Sequence, residues 1–346
     1  MRWAGGRRGR TRILVTGGAG FIGSELVRQL AGQGAEVIVV DSLVTGRREN
    51  LAGIPGGRVR LVEADVRDGE RVRALMRGVG LVFHLACRGV RHSLHSPDEN
   101  HDVNATGTLR LLSAARAARV GRFVYVSSSE VYGTAQRVPM NEEHPTLPST
   151  VYGASKLAGE AYTRAFHRTY GLPAVVVRPF NSYGPRSHHE GDSGEVIPRF
   201  TLSCLARRPV VIFGDGGQTR DFTYVADTAR GIALAGWATG CVGETINLAG
   251  GREIAVGDLA GEVAAVVGCG PLRIDHDAPR PGDVRRLCGD GSKARRLLGF
   301  EPTVTLGDGL ARLRDWYLDL GPGPEELLGG VRRRNWEKVE ATGDAR

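Results

Sequence analysis

Tyr152 and Lys156 stand four residues apart in Tyr152-Gly153-Ala154-Ser155-Lys156. On a helix that spacing puts a phenol and an ammonium on one face. A nearby ammonium favours the phenolate and lowers a tyrosine pKa, which makes Tyr152 a usable general base near neutral pH. The same pair in isolation is common on the surface of amphipathic helices. Upstream, Ser127-Ser128-Ser129-Glu130 follows the apolar run Arg122–Ser127. If that run is a strand of an open parallel sheet, the hydroxyls leave at its carboxyl edge, where ligands bind. Ser128 can then share the proton of a substrate hydroxyl with Tyr152. Glu130 has two readings of equal weight, an acid or base and a backbone hydrogen-bonding partner.

A second constellation lies near the start. Thr16-Gly17-Gly18-Ala19-Gly20-Phe21-Ile22-Gly23 sits between a strand pattern and a helix pattern. Gly17, Gly20 and Gly23 allow a tight turn, approach of the backbone to a pyrophosphate, and close packing of helix on strand, with Phe21 and Ile22 opening the helix. A lone glycine motif is weak evidence, but this one has strand–turn–helix context. Asp41 closes the next strand, 18 residues after Gly23. A carboxylate there can accept both ribose hydroxyls and repels a 2′-phosphate, so the expected cofactor is NAD rather than NADP. Asp65-Val66 and Leu85-Ala86-Cys87 follow two further strands and are expected beside the cofactor.

Positioning these groups requires a sheet. Arg12–Thr16, Glu36–Asp41, Val59–Glu63, Leu81–Leu85, Arg122–Ser127 and Ala174–Arg178 read as strands. Ile22–Gln33, Arg71–Arg77, Glu99–Arg119 and Tyr152–Tyr170 read as helices between them. The alternation implies an α/β fold, a Rossmann-type doubly wound parallel sheet. Beyond Arg178 the pattern loosens into Val210–Phe213, Asp227–Ala238, Thr245–Leu248, Val256–Val267 and Gly307–Leu320. The expected organisation is a dinucleotide domain over residues 11–180, to which part of 210–245 returns, and a smaller C-terminal domain over 181–320. Residues 1–10 and 325–346 are expected to be mobile tails. The polar stretch 186–194 reads as a lid rather than a metal cluster, and no metal is expected.

Composition narrows the class. The chain has 346 residues, 41% hydrophobic and 24% charged, as in an ordinary globular protein. No apolar run reaches the ~20 residues of a membrane helix, and residues 1–12 lack a signal peptide's apolar core, so a cytoplasmic protein with no membrane partner is expected. Five scattered cysteines suggest neither a disulfide framework nor a zinc site. The net charge of +8 is diffuse arginine, since only Lys156, Lys293 and Lys338 are lysines. It suits an anionic substrate, and no basic helix interleaved with aromatics argues for nucleic acid.

The motifs together resemble the extended short-chain dehydrogenase/reductases of the sugar epimerase/dehydratase family. They comprise the glycine turn, Asp41, Asn104 in Val103-Asn104-Ala105-Thr106-Gly107, the serine run, the Tyr152/Lys156 pair and Arg178-Pro179-Phe180-Asn181. Gln218-Thr219-Arg220-Asp221-Phe222 and Arg280-Pro281-Gly282-Asp283-Val284 complete the set, and the likeness spans about residues 11–320. The resemblance implies a C-terminal domain that binds sugar nucleotides, tightly held NAD and a transient 4-keto sugar. By motif position it implies that Asn104 lies at the cofactor and that Asn181 contacts the substrate diphosphate. Val196 to Pro198 would lie along the nucleotide, Arg220 and Arg280 would pair with phosphates, and Asp283 would bind the nucleoside ribose. It also implies a homodimer formed through the two long helices.

Three reactions compete within that resemblance. A 4,6-dehydratase shows an Asp-Glu pair where this chain has Ser129-Glu130. A UDP-glucuronate decarboxylase shows Thr-Ser-Glu there but a different tyrosine motif. A 4-epimerase needs only the hydroxyl, the tyrosine and the lysine. Arg88-Gly89-Val90-Arg91-His92-Ser93-Leu94 resembles a segment of UDP-glucuronic acid 4-epimerases, so Arg91, with Ser127, Ser128 and Ser129, is expected to hold a C6 carboxylate. The expected activity is C4 epimerisation of a UDP-sugar, UDP-glucuronic acid first and UDP-glucose second. An NAD-binding regulator without catalysis is the reading from another class, and the intact Ser128, Tyr152 and Lys156 argue against it.

Overall fold

A computed structural model describes residues 11–55 and 57–338. The proposed tail 1–10 and residues 339–346 lie outside the described residues. The first half runs β1 (Arg12–Thr16), α1 (Phe21–Gly32), β2 (Glu36–Asp41), β3 (Val59–Glu63), α2 (Gly69–Leu75), β4 (Val79–His84), α3 (Val90–His95), α4 (Pro97–His101), α5 (Gly107–Ala117), β5 (Arg122–Val126), α6 (Val151–Tyr170) and β6 (Ala174–Pro179). The second half runs β7 (Asn181–Tyr183), α7 (Val196–Leu205), β8 (Val210–Phe213), β9 (Thr219–Tyr224), α8 (Val225–Trp237), β10 (Thr245–Leu248), β11 (Glu253–Ala255), α9 (Val256–Val267), β12 (Ile274–Asp277), α10 (Ser292–Leu298), α11 (Leu306–Leu318) and α12 (Pro324–Leu328).

Seven strands form one parallel sheet in the order β10-β6-β5-β4-β1-β2-β3. The chain reverses its direction of winding between β1 and β4, and a doubly wound sheet binds its ligand outside that point. The central strands are buried on both faces and so read as continuous apolar runs, such as Phe123, Val124, Tyr125 and Val126. One face packs on α1 and α8 through Leu26, Val27, Leu30, Ile232 and Ala233, the other on α2, α5 and α6 through Val72, Leu111, Leu112 and Phe166. The smaller unit joins the three-stranded sheet β11-β9-β7 and the parallel pair β8-β12 to α7, α9 and α11.

Two expectations about elements change. The helix foreseen over Glu99–Arg119 is interrupted by a wide turn at Asp102–Thr106, between α4 and α5. The expected tail from Glu325 contains α12, and beyond it Asn335 and Trp336 are 1% and 8% exposed. Arg333 and Arg334 both pair with Asp277 at 2.7 Å, which holds this segment against β12. Among the described residues no helix is long and apolar enough to cross a membrane.

Candidate active site

The strands β1, β4, β5 and β6 end side by side, and a cavity of about 440 Å3 opens along their carboxyl edge and beneath the smaller unit. Gly17 turns the chain out of β1 at φ +68°, and a Cβ there would lie 2.7 Å from the Ala86 nitrogen. A Cβ on Gly23 would collide with the Gly17 carbonyl oxygen. Glycine at both positions therefore lets α1 seat directly behind the turn. No side chain caps the N-terminus of α1, and Gly20, Phe21, Ile22 and Gly23 line the cavity. That leaves a helix N-terminus presented to a diphosphate.

Asp41 ends β2 in the same wall. Its carboxylate accepts from the Ala19 and Leu43 N–H groups, each at 2.9 Å, while burial raises its pKa. Asp65 is held by Arg67 at 2.7 Å, and that hydrogen bond lowers its pKa. Val66, Leu85 and Ala86 line the wall beside it.

Asn104 does not reach this cavity. It is 1% exposed, and its amide is engaged on both sides. Oδ1 accepts from Arg88 N at 2.8 Å; Nδ2 donates to Arg88 O at 3.0 Å and to Ser155 Oγ at 3.1 Å. Asn104 therefore ties the segment after β4 to α6.

The proton-handling groups meet at the end of β5. Ser128 caps a short turn over Ser129–Val131, and its hydroxyl accepts from Glu130 N at 3.2 Å. The Tyr152 side chain lies beside Ser128, and both line the cavity. Lys156 is 2% exposed and donates to the Val126 carbonyl at 2.6 Å. Tyr152 departs from the expected direction. Burial, then the neighbouring Cys87, push its pKa well above 10, and only Ser128 pulls the other way. Burial also lowers the Lys156 pKa. Desolvation outweighs the charge proximity read from the i, i+4 spacing. Glu130 lines the cavity with its pKa raised by burial, against the pull of Arg220 and Arg280.

The arginines expected to meet substrate are already engaged. Arg220 and Arg280 share one oxygen of Asp283, at 2.6 and 2.5 Å. Asp283 thus fixes both guanidinium groups, a role the ribose assignment did not include. Arg280 Nε and Asn181 Oδ1 are buried in the lining without a partner among the described residues, and both face the same cavity. Arg91 donates from Nε and Nη2 to the Asp192 and Ser193 carbonyls, both at 2.8 Å. Those bonds pin the 186–194 segment expected to be a lid, which Arg47–Glu190 at 2.6 Å and Asn335–Gly194 at 3.0 Å also hold. Ser127, Ser129 and Val196 line the cavity as well.

The GDP-mannose 4,6-dehydratase family model matches residues 14–313. The chain belongs to this family. Across 310 residues this family member is 38% identical to the UDP-glucose 4-epimerase of Mycolicibacterium smegmatis, covering 88% of its own length and 98% of that protein. The crystal structure of a dTDP-glucose 4,6-dehydratase from Streptomyces venezuelae with NAD bound superimposes with a TM-score of 0.85. It is 38% identical, over 89% of this chain and 97% of that one. A UDP-glucuronic acid 4-epimerase from Bacillus cereus, in complex with a fluorinated UDP-glucuronic acid and NAD, gives 0.83 at 31% identity, over 88% and 98%. The chain is thus an enzyme of the nucleotide-sugar epimerase/dehydratase class.

Glu160, Glu195 and the contacts of two motif residues, Arg178 and Cys87, escaped the sequence reading. Glu160 on α6 grips Arg178 of β6 through two bonds of 2.6 and 2.7 Å, and Arg178 reaches the Tyr132 hydroxyl at 2.7 Å. Burial disfavours both charges, yet the pair holds Glu160 below and Arg178 above its ordinary pKa. Cys87 stands near Tyr152, and Glu195, just before α7, lines the cavity with its pKa pushed up to about 6 by burial. The contacts themselves have no local sequence signal, because the Glu160–Arg178 and Cys87–Tyr152 partners come from distant elements.

Proposed function

We propose that this family member uses NAD to epimerise C4 of a UDP-sugar, converting UDP-glucuronic acid to UDP-galacturonic acid. The observation that carries the reading is the placement of Ser128, Tyr152 and Lys156 in the cavity that the glycine turn also lines. The turn at Gly17–Gly23, with Asp41 in the same wall, fits the dinucleotide, which supplies the hydride acceptor and donor at C4. The chain's own residues handle the proton. Tyr152 takes it from O4 with Ser128 beside it as relay, and the positive charges of Lys156 and of bound NAD+ would offset the burial that raises the phenol's pKa. Arg220 and Arg280, fixed by Asp283, suit the diphosphate by charge-assisted hydrogen bonds. A diphosphate held there is a pivot about which the sugar can present its other face.

Arg91 supports an acidic sugar. It makes no ion pair among the described residues, and burial, then Arg280, lower its pKa to about 10. An anion nearby relieves that cost, and a C6 carboxylate is one. Carboxylate restraint also matters chemically. A 4-keto uronic acid loses carbon dioxide when its carboxylate bond stands perpendicular to the ketone plane, so an epimerase must hold that group in another orientation.

Glu130 favours a second reading. A buried carboxyl with a raised pKa can carry a proton beside the sugar, as dehydration or decarboxylation requires. Against dehydration, Ser129 stands where an acid pair is needed. Proton NMR of products from UDP-glucuronic acid, UDP-glucose and dTDP-glucose separates the readings. UDP-galacturonic acid with little UDP-pentose is expected; UDP-xylose as the main product makes Glu130 the mark of a decarboxylase. Two copies pair through α5 and α6, which carry Leu109, Val151 and Tyr170 exposed, and light scattering checks for the dimer.

A further inference from the structure

The C-terminal segment after α12 lies beyond the span that the family model matches, yet it contributes to the cavity wall. Asn335 and Trp336 both line it. The segment is seated by four kinds of contact. Arg333 and Arg334 pair with Asp277 at 2.7 Å; Arg199 of α7 donates to the Arg333 carbonyl at 3.0 Å; Asn335 Nδ2 donates to the Gly194 carbonyl at 3.0 Å. The Trp336 ring then stands edge-on to Phe213, with centroids 4.7 Å apart, and is 8% exposed.

Arg199 lies over the Phe213 ring at 5.5 Å, and burial, then the positive charges of Arg91, Arg280 and Arg333, lower its pKa to about 10. Arg199 thus stands near both Arg280 of the Arg220–Asp283–Arg280 clamp and Arg333 of the segment, in the cavity that Phe213 and Trp336 also line. A nucleotide whose diphosphate sits on that clamp extends its base one ribose further on. The same cavity offers it two aromatic rings and a guanidinium, the groups on which a base stacks.

We propose that the segment 331–338 is a strap that closes the nucleotide end of the cavity, with Trp336 forming part of the base-binding surface. The proposal rests on the nucleotide-sugar reading above and adds a residue to it from outside the family-matched span. A base held between strap and α7 is shielded from water, and the strap's ion pairs with Asp277 set how firmly it is held.

The test uses the full-length holoenzyme and nucleotide without sugar. Calorimetric titration of wild type, Trp336→Ala and Trp336→Phe with UDP and with dTDP is compared with titration by inorganic pyrophosphate. Trp336→Ala is expected to raise the Kd for UDP about tenfold, the scale of one lost stacking partner. Trp336→Phe should recover most of the affinity, and pyrophosphate should bind all three alike. Arg333→Ala/Arg334→Ala, which leaves the ring in place but cuts its tether, should weaken UDP in the same sense by a smaller factor. Equal UDP affinity in wild type, Trp336→Ala and Arg333→Ala/Arg334→Ala overturns the strap alone, as does an equal loss for UDP and pyrophosphate. Wild type that binds neither UDP nor dTDP overturns the strap together with the nucleotide-sugar reading.

Discussion

The two ends of the cavity are built on different principles. The dinucleotide end is made of one short stretch, Thr16 to Gly23, plus single residues at the tips of successive strands. It works with backbone N–H groups and the absence of side chains. The sugar-nucleotide end gathers Arg91, Ser127–Glu130, Asn181, Glu195, Arg220, Arg280, Asp283 and Trp336 from widely separated segments. It works with long charged side chains, of which Arg91 and Arg220 are held by partners in distant segments. One end is therefore sensitive to a single added methyl group, whereas the other depends on networks whose members can be removed one at a time.

That contrast gives the largest expected effect. Gly23→Ala places a methyl against the Gly17 carbonyl and must push α1 off the turn. The purified variant should release no NAD on denaturation while its circular dichroism stays near wild type. Full retention of NAD would remove the argument that the close helix–turn approach builds this end. Next comes the group between the two ends. Tyr152→Phe keeps the ring and deletes the proton acceptor, so turnover should fall ~10²-fold or more with little change in UDP-sugar affinity. Near wild-type turnover in that variant removes Tyr152 from the proposed chemistry.

A third variant probes what joins the ends. Glu160 and Arg178 are 0% and 3% exposed and link α6, which carries Tyr152 and Lys156, to β6, which leads into Asn181. Glu160→Ala leaves a buried guanidinium without its carboxylate and should cost roughly 3–5 kcal/mol by denaturant unfolding. A cost below about 1 kcal/mol would mean that water or a neighbour takes over the arginine.

The contrast also explains what could be read in advance. The order of strands and helices up to β6 was legible because buried parallel strands are continuous apolar runs and the helices between them are amphipathic. The glycine turn and Asp41 were legible because their chemistry is local. Short strands such as β9, β11 and β12 were not foreseen, since Thr219–Tyr224 mixes charged and polar residues whose partners lie in other segments. The same holds for side chains. Arg91, Arg220, Arg280 and Asn104 were placed by motif, but the groups that engage them, the Asp192 and Ser193 carbonyls, Asp283 and Arg88, depend on the folded arrangement. The direction of the Tyr152 shift was misread for a related reason, because spacing reports proximity to Lys156 but not the depth of burial.

The smallest effect is the most specific to the sugar end. Glu195 sits beside Arg91 and His188, which favour its charged form, and near Glu190, which opposes it. Burial exceeds all of them, and its pKa stands at about 6 against an ordinary 4.5. A carboxyl whose folded pKa is raised binds more protons folded than unfolded between those two values. Its contribution is therefore neutral below about pH 4.5, becomes destabilising as pH rises from there to about 6, and stays so above. Glu195→Gln should then leave the melting temperature unchanged at pH 4.5 and raise it at pH 8. The shift of about 1.5 pH units, discounted because the residue is partly exposed, amounts to on the order of 1 kcal/mol. For a chain of this size that is roughly 2 °C. The dinucleotide end offers a control, because Asp41 also has a burial-raised pKa but gives its oxygens to two backbone N–H groups. Asp41→Asn gains from losing the buried charge but turns an amide N–H toward one of those donors, so its melting temperature should not rise at pH 8. If Glu195→Gln is instead equally stabilised at both pH values, the carboxyl has the same pKa in the folded and the unfolded chain. The difference between a networked charge and a backbone-bound one would then not hold at this position.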